Sequence, residues 1–226
     1  LYYGRDTAQF SSIAVMPFVN ASGSSDLEYL SDGMTESLMN SLSQLPNLSV
    51  KARSSVFRYK GKEIEPLQAA RELSVQAILN GRVQQRGDQL TLSLDLVDAR
   101  TGNQVWGEQY VRKVSDLAAL QTELARDVSQ KLRSKLTSSQ ATEVTKNQTQ
   151  NSEAYQLYLQ GRYQWNKRTF DGTKKAIQYF QQAIEKDPAY ALAYVGLADS
   201  YITGDMGLRE RAPKVVAAAQ KALEID

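Results

Sequence analysis

The 226-residue chain is 42% apolar and 23% charged with a formal charge of +2. It can bury a core, but it is too near neutrality to hold nucleic acid by bulk electrostatics. It has no His and no Cys, which excludes the usual neutral-pH general base, thiol nucleophiles, disulfides and thiolate zinc sites and leaves a catalyst only minority designs.

In chain order, residues 1–11 read as a linker after an upstream segment, with Leu1, Tyr2 and Tyr3 either the tail of an interfacial aromatic belt or a tag scar or plain linker. No run of about 18 apolar residues is long enough to span a bilayer. Ser12 to Phe18 is a short apolar run closed by Asn20, Ser22 and Gly23, which predicts a buried strand and a turn. Asp26 caps a helix whose inward positions are Leu27, Leu30, Met34, Leu38, Leu42 and Leu45, and Pro46-Asn47 stops it. Leu48 to Val50 is a second strand. Glu65-Pro66 opens a short helix carrying Leu67, Ala70 and Leu73.

Three strands follow: Val75 to Gln85, then Leu90, Leu92, Leu94 and Leu96 in strict alternation with polar residues, then Gln104 to Tyr110. Ser115 or Asp116 caps a long helix with Leu117, Leu120, Leu124, Val128, Leu132 and Leu136 on one stripe. The expected fold is an α/β (α+β) sandwich with a mainly antiparallel meander sheet over residues 12–137.

The motifs Ile13-Ala14-Val15-Met16-Pro17-Phe18, Glu28 to Glu36, Arg53-Ser54-Ser55-Val56-Phe57, Tyr59 to Lys62, Leu79 to Val83, Val97-Asp98-Ala99 and Val105-Trp106-Gly107-Glu108 resemble the TolB-like amino-terminal domain. The resemblance implies a bacterial multidomain signalling protein. Such a domain lies downstream of a protein kinase, adenylate cyclase or winged-helix module and often precedes tetratricopeptide (TPR) helices. The family brings no catalytic residues.

Residues 138–151 read as a polar linker. From 152 the pattern becomes that of an all-α TPR helical-repeat segment of two units, 152–190 and 191–226. Gly161, Ala176, Phe180, Ala183 and Pro188 match the first unit, with surplus residues around Asn166 to Gly172. Tyr194, Leu197, Ala198, Tyr201, Ala219, Ala222 and Leu223 match the second, with a long loop through Gly204, Asp205 and Gly207. Two units are fewer than a stable solenoid uses, so this pair needs another surface: the first domain or a longer array.

Several groups invite a chemical reading. Asp26, Glu28, Asp32 and Glu36 fall near one helix start, where acids complement the dipole more readily than they cage a cation. Lys51, Arg53, Arg58, Lys60 and Lys62, interleaved with Phe57 and Tyr59, read as a solvated loop before an anion-binding one. Tyr155, Tyr158, Arg162 and Trp165, with Asp199 from the second unit, fall at positions where solenoids grip peptides, or else pack in the core against the enlarged turn. Phe57, Trp106 and Tyr110 are walls of an alternative groove for a small ligand or envelope component.

The expected function is non-catalytic binding of a protein or peptide on the TPR concave face, without cofactor, metal or nucleic acid. Residues 54–62 and Gly161 to Arg168 resemble proteins headed by a Ser/Thr protein kinase, which makes such a kinase the expected upstream module; no kinase motif occurs here. The expected setting is bacterial: either extracytoplasmic, tethered by an upstream transmembrane helix, or cytoplasmic.

Overall fold

The computed structural model describes residues 10–132, 138–146, 148–204 and 207–226. The readings placed on Leu1, Tyr2, Tyr3, Leu136 and Asp205 lie outside these residues. Strand β1 (Ser12–Val15) and the two-residue β2 (Val19–Asn20) divide the first apolar run at Met16-Pro17-Phe18. A 3-10 turn capped by Ser24, rather than Asp26, leads into α1 (Glu28–Ser43). Strand β3 (Ser49–Val50) is followed by the four-residue α2 (Arg53–Val56) and then by α3 (Pro66–Leu73), which starts at its proline. Strands β4 (Ala77–Arg86), β5 (Gln89–Asp98) and β6 (Gln104–Lys113) form the meander, and α4 (Leu117–Leu132) closes this part.

The sheet is mixed, an antiparallel meander joined to parallel neighbours. Its order is β3-β1-β4-β5-β6, with β2 also beside β4. The pairs β1/β3, β1/β4 and β2/β4 are parallel, and only β4/β5 and β5/β6 are antiparallel. The cause is connectivity: tight turns link β4, β5 and β6, whereas β1, β3 and β4 are separated by helices, and such crossovers deliver parallel neighbours. The register pairs Leu79 with Leu96 and Val83 with Leu92, and these with Trp106 and Tyr110, so they share one face. Helix α4 covers it, holding the Tyr110 hydroxyl on Asp127 (2.9 Å) and Arg112 on Glu123 (2.8 Å). The opposite face carries polar pairs such as Asn80–Asp95 (2.8 Å).

The segment expected as a linker is partly structured. It holds α5 (Ser138–Glu143), and Val144 beyond it is wholly buried. Four longer helices follow: α6 (Ser152–Asn166), α7 (Phe170–Lys186), α8 (Ala191–Thr203) and α9 (Leu208–Ile225). Asn151 caps α6 and Thr169 caps α7, each by accepting a backbone N–H at 3.0 Å. The expected surplus between the first two helices is absorbed by longer helices, leaving a three-residue turn in which Arg168 takes φ +54°. Each helix packs on the next, and the Phe180 ring sits between Gly161 of α6 and Gly196 of α8. A Cβ on either glycine would come within 2.6 Å of that ring. Buried side chains of the sheet part and of the helices form one continuous hydrophobic cluster.

Candidate functional site

The periodicity of α1 predicts one inward apolar face, yet α1 is buried almost all round. Ser31, Asp32, Thr35, Glu36, Ser37 and Ser41 are buried along with its leucines. The covering element is α6, which packs across α1. Gly33 lets them approach: a Cβ there would lie 2.8 Å from Leu159. The Gln156 amide donates to the Tyr29 hydroxyl at 2.5 Å. At the far end, Glu36 accepts from Arg162 through Nε (2.9 Å) and Nη2 and from Asn166 Nδ2 (2.8 Å), and Arg53 Nε lies 3.3 Å away. Arg162 also reaches Asp199 of α8 at 3.3 Å.

This arrangement changes the expected peptide-gripping surface. Tyr155 and Tyr158 are only 1% and 5% exposed, and Tyr158 packs edge-on against Tyr190 with ring centroids 5.2 Å apart. They are core residues with no surface to offer a partner. Arg162 is an internal ion-pair residue: Tyr158, Glu36 and Asp199 hold it above its ordinary pKa, although burial opposes the charge. The inner face of the first helical pair is therefore filled by α1 of the same chain. Trp165 remains half-buried, with Nε1 donating to Thr203 (3.1 Å), and Asp199 keeps partial exposure.

The alternative groove does not assemble. Tyr110 is buried, with its hydroxyl committed to Asp127. Trp106 shares its face of edge strand β6 and is half-buried. Phe57 follows β3 at the opposite edge of the sheet and lies under the Arg53 guanidinium, 3.7 Å from its ring centroid.

The acidic and basic groups flagged in the sequence largely neutralise each other. Lys60 bonds both oxygens of Asp32 (2.7 Å) and reaches Glu28 (2.8 Å), which also accepts from Asn20 (2.9 Å). Burial still raises the Asp32 carboxyl pKa despite Lys60. Arg58 faces Glu72 at 3.8 Å. No cluster of metal-ligating side chains occurs among the described residues.

What sequence reading missed is a cleft of about 610 Å³ where α1, α2 and the end of α6 meet. Asn40, Lys51, Arg53, Trp165, Asn166 and Arg168 are among its walls. The signal was divided, because Arg53 and Arg168 stand 115 positions apart in the sequence. Burial, with Arg162 and Arg168 nearby, lowers the Arg53 pKa against the opposing pull of Glu36 and Asp32.

Comparison with known proteins places these features. A protein of Rhizobium meliloti (strain 1021) described as "Putative adenylate cyclase 3" is 33% identical over 187 residues, covering 83% of this chain. The chain spans 32% of that relative's length. Among solved structures, TolB from Acinetobacter baumannii aligns at TM-score 0.42 and 14% identity, covering 56% of this chain and 29% of that one. Lipoprotein GNA1162 from Neisseria meningitidis aligns at TM-score 0.39 and 23% identity, covering 46% and 80%. Both are too distant to carry an argument about function. The model of the HilA/YgeH-like transcriptional regulator second domain matches residues 8–127, the sheet part through most of α4. That match spans more than half of the chain, which therefore belongs to the HilA/YgeH-like second-domain family.

Proposed function

We propose that this chain is a non-catalytic recognition and coupling segment of a bacterial signalling protein. In this reading the α/β part (12–137) seats two TPR-type helix pairs (152–190 and 191–226), and the effector activity lies in another part of the protein. The observation that carries it is the insertion of α1 against α6, with Glu36 joined to Arg162, Asn166 and Arg53. A contact of this kind transmits a shift of the helices directly to the sheet, because packed interfaces move between discrete arrangements rather than deform smoothly. Val216 and Leu223 (77% exposed) leave α9 with apolar surface suited to a following helix, as a repeat array requires.

The effector is proposed to be an adenylate cyclase or a transcriptional regulator before a Ser/Thr kinase, since the relative and the family model carry those two descriptions. A protein or peptide partner is proposed to dock on the helical inner face that α1 leaves open, around Trp165 and Asp199. None of the described helices is long and apolar enough to cross a membrane, so a membrane tether, if the protein uses one, is assigned to another segment.

The test has two arms. The 226-residue chain should turn over no generic ester, nucleotide or peptide; turnover lost on Glu36→Gln would contradict the reading. In the parent protein, Gly33→Leu should change effector output at unchanged effector abundance, and unaltered output would contradict coupling through α1.

A further inference from the structure

We propose that the cleft between α1, α2 and the α6–α7 turn is a site for a phosphate monoester, clamped between Arg53 and Arg168. The inference does not depend on whether the helices grip a peptide.

The charge balance points to an anion. Lys51, Arg53, Arg162 and Arg168 line the cleft, and Glu36 is the one acidic residue among the lining side chains. Glu36 is already engaged by Arg162, Asn166 and Arg53. Among the described residues, no carboxylate lies within ion-pair distance of Lys51 or Arg168, and Arg162 alone is balanced further, by Asp199. Four cations against Glu36 and Asp199 leave two positive charges without compensation, the complement of a dianion.

The geometry favours an oxyanion over a looser partner. Each clamp arginine has its Cζ over an aromatic ring, Arg53 3.7 Å from the centroid of Phe57 and Arg168 3.6 Å from that of Trp165. A guanidinium carries N–H donors in a fixed fork that matches phosphate in a bidentate way. Trp165 is itself fixed by its bond to Thr203 and by Arg162 at 4.6 Å, so it forms a wall and not a platform for a flat ligand. Arg168 occupies the left-handed region at φ +54°, a conformation costly for a residue with a Cβ. Asn40 and Ser54 line the same cleft and supply neutral polar groups. Because one arginine comes from the sheet part and the other from the helical part, a bound phosphate ties the two together.

The probe is O-phosphoserine, titrated calorimetrically into the 226-residue chain at fixed ionic strength, with acetate as the competing anion. Saturable one-to-one binding is expected, with acetate at least tenfold weaker. Arg168→Gly removes the guanidinium while suiting the left-handed backbone, so it should fold at least as well as the wild type and bind at least tenfold more weakly. Arg53→Gln should weaken binding similarly, and Lys214→Gln on α9 should leave it unchanged. A phosphoserine peptide binding tenfold tighter than O-phosphoserine assigns the ligand to a modified protein, and equal affinity assigns it to a small phosphorylated molecule. Absence of saturable binding, or an Arg168→Gly variant that binds like the wild type, would overturn the proposal.

Discussion

At the scale of single residues, the decisive fact is that Arg162 is a structural cation. Removing it strands Glu36, which is only 6% exposed, beside Asn166 and a poorly aligned Arg53. Breaking a buried ion pair from one side costs about 3–5 kcal/mol. Arg162→Glu adds like-charge repulsion to that loss, so urea unfolding should show a stability drop of at least about 3 kcal/mol; a drop below about 1 kcal/mol would return Arg162 to the surface role its spacing suggested. Tyr158 offers a second handle. Burial first, with Glu36 and Asp199 adding to it and Arg162 opposing, moves its hydroxyl from the ordinary 10.0 up to about 12. The folded state thus keeps a proton that the unfolded chain loses from about pH 10, so stability is full below that value and falls as pH rises toward 12. Tyr190, buried beside it, shifts the same way. Tyr158→Phe should make the fall between pH 10 and 12 shallower in thermal melts, and an unchanged slope would contradict the assigned environment.

At the scale of elements, the legible features were those whose cause is local. Pro66 at a first turn and the alternation of Leu90 to Leu96 are each fixed by neighbours within a few residues, and each stands where expected. The spacing Gly161, Ala176, Phe180, Ala183 also foretold close helix packing, and the Phe180 ring between Gly161 and Gly196 supplies its reason. Gly196→Val should therefore destabilise by about 1–3 kcal/mol through overpacking, read as a lower urea midpoint; an unchanged midpoint would mean that the ring does not sit there. Other features were illegible for equally physical reasons. Helix α2 has four residues, too few to show a period. The parallel pairing of β1 and β4 depends on crossovers, not on alternation. The burial of the polar face of α1 was illegible because its cover, α6, begins more than a hundred residues later. Glu36, Arg53 and Arg168 form a cleft for the same reason, unseen by any sequence window.

At the scale of the whole molecule, the sheet part and the helices share one hydrophobic cluster, and α1 packs against α6. Two helix pairs alone bury too little to stand as an array, and α1 supplies the missing neighbour. One hydrophobic cluster accordingly runs from Phe10 to Ala218. In the proposed coupling role, this junction is where an event on the helices reaches the sheet. The most direct test is native-state hydrogen exchange on the wild type and on Gly33→Leu, comparing the amides of α1 with those of α6. Coupling through α1 predicts that both helices open with the same free energy in the wild type, and that Gly33→Leu lowers protection in α6 while the β4–β5 ladder stays closed. Protection in α6 that is independent of α1, and unmoved by the leucine, would contradict the account.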